Sequence, residues 1–162
     1  MVKTSLRSNN IGVSLLWLFV PLLVGILSSV LTIDMMSAFE VLNKPSLSPP
    51  AYIFPIAWSV LYSLMGVSAL LVYRENTNSI YKSYGLMFNV IQLVLNFFWS
   101  IIFFNYRNYE LALIWLVMLW LCVLAMIVYY RKVNKLSFAF SIPYIMWLTF
   151  AAYLNYFILL NN

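Results

Sequence analysis

The feature that most constrains this fold is a series of long apolar stretches, separated by short polar segments. Each stretch has about 20 residues or more, the length a helix needs to cross a hydrocarbon core of ~30 Å. None of them contains Asp, Glu, Lys or Arg. The stretches are 11–33, 50–73, 84–104, 111–130 and 138–160. Because lipid offers no partner to exposed backbone groups, each is predicted to be a helix.

The sequence therefore predicts an all-α membrane protein, a five-transmembrane-helix bundle forming one domain over residues 1–162. Composition agrees, because 65% of the residues are hydrophobic and only 8% are charged. A soluble domain has roughly 45–50% apolar and about 25% charged residues. The first stretch is longer than the ~7–15-residue apolar core of a signal peptide, so we expect a retained helix.

Composition also limits the chemistry that this chain can perform. It has no histidine, and its single cysteine is Cys122. We therefore expect no metal site and no obligatory cofactor. The net charge of +5 comes from basic residues scattered among the short polar gaps. That distribution favours the lipid bilayer as a partner and does not indicate a nucleic-acid site.

The distribution of Lys and Arg predicts the orientation of the helices. One side of the predicted bundle carries seven basic residues and the other carries two. The seven are Lys3, Arg7, Arg74, Lys82, Arg131, Lys132 and Lys135, and the two are Lys44 and Arg107. By the positive-inside rule, the N-terminus is cytoplasmic and the C-terminus extracytoplasmic, in a bacterial cell membrane.

The first loop, 34–49, is the longest polar segment and ends in a proline-rich run. Proline fixes its own φ and biases the preceding residue toward extended backbone. The loop is therefore semi-rigid. Two interpretations stay open: a cover that lies over the bundle, or a stiff connector that leads to Pro50 at a helix start.

Aromatic and weakly polar residues recur at helical spacing within three of the stretches. Trp58 and Tyr62 are four residues apart, as are Trp147 and Ala151. Residues at this spacing share a helix face. Tryptophans near the middle of a span are not explained by interfacial anchoring. Converging on one another, such faces predict an apolar pocket with a few polar groups, suited to a flat aromatic ligand.

These residues fall into motifs that resemble a known family. The motifs are Lys44-Pro45-x-x-x-Pro49-Pro50 followed by Phe54, Trp58, Leu61-Tyr62 and Met65-Gly66; Leu95-Asn96-x-x-Trp99-Ser100 with Phe103-Phe104; and Pro143-Tyr144-x-x-Trp147-x-x-Phe150-Ala151-x-x-Leu154-Asn155. In this order they resemble the signature of the translocator protein / tryptophan-rich sensory protein family (TspO/MBR, peripheral benzodiazepine receptor-like). The chain is similar to a bacterial member over nearly its whole length.

The resemblance implies a bundle, often a homodimer, whose pocket is capped by the first loop. It implies binding of protoporphyrin IX or haem, and of isoquinoline carboxamide and benzodiazepine ligands. The positions that match the family's ligand pocket are Ser29, Phe39, Pro49, Trp58, Tyr62, Asn96, Trp99, Trp147 and Ala151. Some bacterial members promote light-dependent oxidative degradation of protoporphyrin IX, which makes Trp58 and Trp147 candidates for a photochemical role.

Three functions stay open at this point. The first is a tetrapyrrole-binding sensory protein, and the second is a catalyst of porphyrin photo-oxidation. The third, the alternative, is a transmembrane carrier of porphyrins or other flat hydrophobic ligands. Without histidine or a carboxylate inside the spans, a catalyst has no conventional acid–base machinery. In that case the excited porphyrin supplies the driving force, and the protein supplies positioning and oxidisable indoles.

Overall fold

The computed structural model describes residues 10–32 and 39–162, and within these ranges the regular structure is helical. Five helices are long and apolar enough to cross a membrane, which confirms the predicted fold class. They are α1 (Ile11–Thr32), α2 (Ile53–Arg74), α3 (Ile80–Ser100), α4 (Tyr109–Val133) and α5 (Lys135–Asn161). A π-helical turn, Ile101–Asn105, prolongs α3. Ile33, loop residues 34–38, and Lys3 and Arg7 lie outside the described residues.

Three of the helices begin earlier than hydropathy predicts, because polar caps define their starts. The side chain of Ser79 accepts from the Tyr81 N–H, at 3.2 Å, at the start of α3. Asn108 and Asn134 cap α4 and α5 in the same way. Side-chain oxygens at N-caps satisfy backbone donors that a helix leaves unpaired. Hydropathy therefore marks the membrane-embedded part of each of these helices, and the N-cap residue marks where the helix starts.

The second helix begins later than predicted, at Ile53 rather than Pro50. The residues between them form a turn, in which the N–H of Ile53 donates to the carbonyl of Pro50 at 3.0 Å. The prediction that Pro50 starts the helix is therefore wrong, because the helix starts at Ile53.

The helices form a ring in which α1 packs on α2, α2 on α5, α5 on α4, and α4 on α3, while α3 meets α1 more lightly. Gly66 sets the closest approach between α1 and α2. A Cβ at this position would collide with the backbone carbonyl oxygen of Leu18, which cannot move out of the way. Small residues allow this kind of approach between membrane helices. The α1–α2 contact is therefore tight and the α1–α3 contact is loose.

The described part of the first loop is docked against the end of the bundle. The backbone N–H of Asn43 donates to Oδ1 of Asn162 at 2.9 Å, and Asn162 Nδ2 donates back to the carbonyl of Asn43 at 3.1 Å. Phe39 is buried and contacts Phe54, with ring centroids 5.3 Å apart. Of the two interpretations, this arrangement fits the cover, over the residues from Phe39 onward.

Candidate functional site

A cavity of about 390 Å³ lies between α1, α2, the end of α3 and α5. Its size falls within the ~300–1,000 Å³ typical of ligand pockets. The residues that line it carry no charge: Leu22, Gly25, Ile26, Ser28, Ser29, Val30, Thr32, Phe39, Phe54, Pro55, Trp58, Ser59, Tyr62, Trp99, Ser100, Phe103, Phe104, Ala151, Leu154 and Asn155. We call this space the inner cavity. It is an apolar site with a small number of polar groups.

Two aromatic pairs, one tilted and one stacked, face the inner cavity. On α2, the rings of Trp58 and Tyr62 have centroids 5.4 Å apart and planes inclined by 30°. At the end of α3, Trp99 and Phe103 are stacked at 5.2 Å with an angle of 26°. The helical spacing of four residues places each pair on one face. Aromatic faces of this kind provide stacking surface for a flat ring.

The π-helical turn brings a further ring to the same wall. Phe103 and Phe104 are adjacent in the chain, yet both line the inner cavity. The turn is tied to α1, because Asn105 Nδ2 donates to the carbonyl of Leu31 at 3.1 Å. Single π-helical turns occur frequently at functional sites. Here the turn adds Phe104 to the aromatic lining.

On the opposite side, α1 presents small residues toward Tyr62. A Cβ at Gly25 would overlap the Tyr62 ring. Ser28 and Thr32 follow Gly25 at helical spacing and also line the inner cavity. The hydroxyl of Thr32 donates to the Ser28 carbonyl at 2.9 Å, which ties this hydroxyl's proton to its own helix. Glycine at position 25 therefore sets the width of the cavity beside Tyr62.

Two polar atoms in the lining have no partner among the described residues. They are the indole N–H of Trp99 and Oδ1 of Asn155. The other end of the Asn155 amide is occupied, because Nδ2 donates to the carbonyl of Tyr109 at 2.8 Å. A buried polar group without a hydrogen bond costs about 1–3 kcal/mol. The inner cavity thus offers one donor and one acceptor that a ligand can satisfy.

A cation lies close to the cavity at the docked loop. The ammonium of Lys44 sits over the ring of Phe39, 4.7 Å from its centroid, and donates to the carbonyl of Glu40 at 3.1 Å. Phe39 itself lines the inner cavity. A positive charge is therefore available beside an otherwise uncharged site.

The sequence predicted nine ligand-binding residues, and the structure brings most of them to this cavity. Those that line it are Ser29, Phe39, Trp58, Tyr62, Trp99 and Ala151. Pro49, Asn96 and Trp147 lie outside the lining. Asn96 is fully buried in a polar network, where its Nδ2 donates to the Tyr144 hydroxyl at 3.2 Å. Trp147 stands behind Trp58, with its ring edge-on at 6.5 Å between centroids. A direct part for these three in binding stays a prediction.

Sequence reasoning did not select several residues of the lining. Asn155 occurs on the predicted inward face of the fifth span, four residues after Ala151, so its spacing carried the signal. Gly25 and Ser28 belong to a run of small residues, which on sequence alone is the usual mark of helix packing. Only the position of Tyr62 against Gly25 shows that this run also shapes the cavity.

Comparison with known proteins agrees with the motifs. The model of the TspO/MBR family matches residues 17–160. Protein CrtK of Rhodobacter capsulatus is 38% identical over 118 residues, covering 73% of this chain and 74% of CrtK. The tryptophan-rich protein TspO of Chlorobaculum tepidum is 32% identical over 124 residues, covering 76% of this chain and 78% of the relative.

The similarity extends to eukaryotic proteins. The translocator protein of Homo sapiens is 35% identical over 124 residues, covering 75% of this chain and 72% of the human protein. The family model, over residues 17–160, includes every residue that lines the inner cavity. This chain is an integral, multi-pass membrane protein that belongs to the TspO/MBR family of tryptophan-rich sensory and translocator proteins.

Proposed function

We propose that the inner cavity binds a tetrapyrrole, protoporphyrin IX or haem, and that the protein acts as a membrane tetrapyrrole-binding and sensory protein. The observation that carries this proposal is the pairing of Trp58 with Tyr62 and of Trp99 with Phe103 around an uncharged cavity. Such walls select a flat, rigid aromatic ring over a flexible or charged ligand. The same lining accommodates isoquinoline carboxamide and benzodiazepine ligands, which are smaller aromatic molecules.

The charge of the lining constrains how a porphyrin enters. Burying an ionised carboxylate without a partner is costly, and the lining supplies no cation. The ring therefore inserts between the aromatic walls, and its carboxylates stay outside. Lys44 is placed to meet them, because its ammonium lies over Phe39. An ion pair at such a partly exposed position contributes about 1 kcal/mol or less.

The test is a titration of purified protein with protoporphyrin IX and with its uncharged dimethyl ester, followed by Trp fluorescence and the porphyrin absorbance. We expect both to bind. Lys44→Gln should weaken binding of the free acid by about threefold to fivefold and change binding of the ester by less than about twofold, since only the free acid has carboxylates that pair with Lys44. Trp99→Phe should weaken both equally, because it removes a ring donor inside the cavity. Failure of the parent protein to bind either porphyrin overturns the proposal.

A second function, light-dependent oxidative degradation of the bound porphyrin, is favoured by one observation. Trp58 lines the inner cavity, and Trp147 contacts it from behind. An oxidisable indole thus stands at the ligand with a second indole next to it. The porphyrin supplies the light absorption and dioxygen the oxidant, while the protein positions the ring. No conventional catalytic residue is required.

The proposed location is a bacterial cell membrane, with the N-terminus cytoplasmic. Asn43 and Asn162 are hydrogen-bonded, so the first loop and the C-terminus lie on the same side of the bundle. Lys82 and Glu75 meet at the other end, where the Lys82 ammonium donates to the Glu75 carbonyl at 2.7 Å. A reporter fused after Asn162 should be extracytoplasmic. A cytoplasmic reporter on a fully inserted chain contradicts this orientation. The homodimer stays a prediction.

A further inference from the structure

A second cavity, of about 520 Å³, opens between α1 and α3 on the outside of the bundle. We call it the outer groove. It is lined by Val13, Leu16, Trp17, Val20, Pro21, Val24, Leu27, Asn89, Val90, Leu93, Val94, Phe97 and Phe98. It shares no lining residue with the inner cavity. The two sites therefore lie on opposite faces of α1.

The rim of the outer groove faces the surroundings of the bundle, and its floor does not. Leu16 is 59% exposed on α1, and Val94 is 51% exposed on α3. Leu93 is buried, and Asn89 is 0% exposed. In a membrane the rim contacts lipid, because these exposed side chains are apolar along spans that cross the bilayer. A ligand of the groove therefore arrives from the bilayer.

Asn89 is the polar side chain of an otherwise apolar groove, and its amide is half unsatisfied. Its Oδ1 accepts from Gln92 Nε2 at 3.5 Å. Its Nδ2 finds no acceptor among the described residues. An unpaired amide donor in an apolar environment costs about 1–3 kcal/mol. A packing role alone does not explain it, since Leu has a similar volume and no such cost.

In the structure, a hydrogen-bond chain leaves the nitrogen end of the Asn89 amide without a partner. Asn96 Nδ2 donates to the Tyr144 hydroxyl at 3.2 Å, and this hydroxyl donates to Gln92 Oε1 at 2.8 Å. Gln92 Nε2 in turn donates to Asn89 Oδ1 at 3.5 Å and to Met65 Sδ at 3.7 Å. With these amide orientations the chain ends at the Asn89 N–H, on a residue that lines the outer groove. The missing partner is an acceptor.

The depth of Asn89 selects the kind of acceptor. It lies roughly 13 Å along α3 from Ile80, at 1.5 Å per residue. With a span of 26 residues over Ile80–Asn105, this places it roughly 9 Å below the edge of a ~30 Å hydrocarbon core. Ester carbonyls of phospholipids lie at that edge, near the headgroups. The acceptor must instead sit on a molecule that is dissolved within the hydrocarbon.

We propose that the outer groove binds an uncharged lipophilic carbonyl compound, of the quinone or long-chain ketone class, whose carbonyl accepts a hydrogen bond from Asn89 Nδ2. The apolar rim holds the hydrocarbon part, and the ring or carbonyl reaches the floor. A second copy of the chain fits this site less well. The exposed residues that its rim would bring, such as Leu16 and Val94, have no side-chain acceptor for the buried amide donor.

The test uses the full chain in detergent micelles and two probes, a decyl-substituted benzoquinone and decylbenzene, which lacks the carbonyls. Binding is counted by native mass spectrometry, and the quinone carbonyl stretch is followed by infrared spectroscopy. Asn89→Leu removes the donor and keeps the volume. We expect quinone binding to weaken about fivefold to tenfold, decylbenzene to stay within twofold, and the hydrogen-bonded carbonyl band to disappear.

A second variant guards against a folding artefact. Val94→Phe fills the rim without touching the amide chain and should abolish binding of both probes. Porphyrin binding in the inner cavity should stay within twofold in both variants, which separates this proposal from the preceding one. Unchanged quinone affinity in Asn89→Leu overturns the hydrogen bond. If Val94→Phe instead converts a dimer to monomers, or if co-purified phosphatidylcholine alone depends on Asn89, the occupant is a second copy or a lipid ester, and the proposal is wrong.

Discussion

The inner cavity and the outer groove lie on opposite faces of one helix and differ in what surrounds them. The inner cavity is enclosed by α1, α2, α5 and the π-helical turn, with Trp58 and Trp99 among its walls. The outer groove is bounded by α1 and α3 alone, and most of its lining is aliphatic. One site is suited to stacking a rigid ring, and the other to holding a chain.

The difference follows from how α1 packs. It is the least buried of the spans. Within its most apolar stretch of 18 residues 17% are buried, against 39% in the corresponding stretch of α2. Gly66 lets α1 approach α2 to backbone contact, whereas no glycine of α3 meets α1 in this way. Pro21 lies inside α1 and lines the outer groove. Proline removes a backbone donor and bends or breaks a regular helix. The close α1–α2 contact borders the inner cavity, and the loose α1–α3 contact leaves the outer groove open.

The largest expected effect breaks both regions at once. Gly66→Ala places a methyl group on the backbone carbonyl of Leu18 and forces α1 away from α2. Overpacking costs about 1–3 kcal/mol, which exceeds the gain of about 1 kcal/mol from replacing a helical glycine. We expect the midpoint of thermal unfolding to fall by about 5 °C, and binding at both sites to weaken.

Gly12→Ala is the matched control for this change. Gly12 is exposed at the start of α1, where a Cβ would lie 3.2 Å from Asn10 Oδ1, the side-chain atom that accepts from the Gly12 N–H at 2.9 Å. The gain from a helical alanine offsets a weakened Asn10 hydrogen bond, so the midpoint of thermal unfolding should stay within about 2 °C of the parent's. A Gly66→Ala protein that unfolds like Gly12→Ala would show that α1 does not rely on the close seam.

The next effect separates the regions. Gly25→Ala drives a methyl group into the Tyr62 ring and narrows the inner cavity. Gly25 is absent from the lining of the outer groove. Porphyrin affinity should fall about tenfold, equivalent to about 1.4 kcal/mol, and binding of the decyl benzoquinone should not change. Paired titrations of one preparation check this. A parallel loss of both ligands means that the two sites are coupled through α1.

A smaller effect distinguishes the indoles. Phe at position 58 keeps a stacking surface and loses the oxidisable ring, so porphyrin affinity should fall about fivefold, or about 1 kcal/mol. Light-driven porphyrin loss should fall much further than occupancy. Trp147→Phe should cost less affinity, because Trp147 lies behind Trp58 and outside the lining. Difference spectra before and after illumination measure both quantities.

Trp17→Phe provides the control in the outer groove, where Trp17 is the indole of the lining. It should change neither porphyrin binding nor its photochemistry. If the variants at positions 58 and 147 degrade bound porphyrin at the parental rate, the indoles are walls only. The protein is then a binder without photocatalytic activity.

The sequence was sufficient for the helices and for part of the inner cavity. Uninterrupted apolar runs identify each span, since only helices satisfy their backbone in lipid. Spacing of four residues placed Trp58 and Tyr62 on one face, as the structure has them. These are local properties of one helix. They need no knowledge of its neighbours.

What the sequence could not resolve depends on contacts between helices. Asn96 and Asn155 both occupy predicted inward faces, and both have an unpaired Oδ1. Asn96 lies in the buried network with Tyr144, whereas Asn155 lines the inner cavity. Asn89 lies three residues before Gln92 on α3, yet borders the outer groove. That groove results from the loose α1–α3 contact, which leaves no trace in hydropathy.

The smallest expected effect concerns the iron of haem, and it follows from a property that the two regions share. Both offer walls and hydrogen bonds, and neither lining contains Cys or Met. Cys122 lies on α4, where its thiol points to the carbonyl of Phe88 at 3.6 Å. Strong axial ligands of haem iron are His, Cys thiolate or Met, with Tyr a rarer case. Tyr62 is the phenol of the inner cavity.

Metal-free protoporphyrin IX and haem should therefore bind the inner cavity with affinities within about tenfold, or about 1.4 kcal/mol. Parallel titrations, with the haem spectrum recorded at saturation, check this. The ring makes the same stacking contacts in either form, so iron adds little unless the phenol of Tyr62 ligates it. Haem that binds a hundredfold tighter than protoporphyrin IX contradicts the prediction. If Tyr62→Phe makes the two affinities equal again, the Tyr62 phenol is the axial ligand of the iron. A six-coordinate, low-spin spectrum that survives Tyr62→Phe contradicts it as well, because the axial groups must then come from outside the described lining.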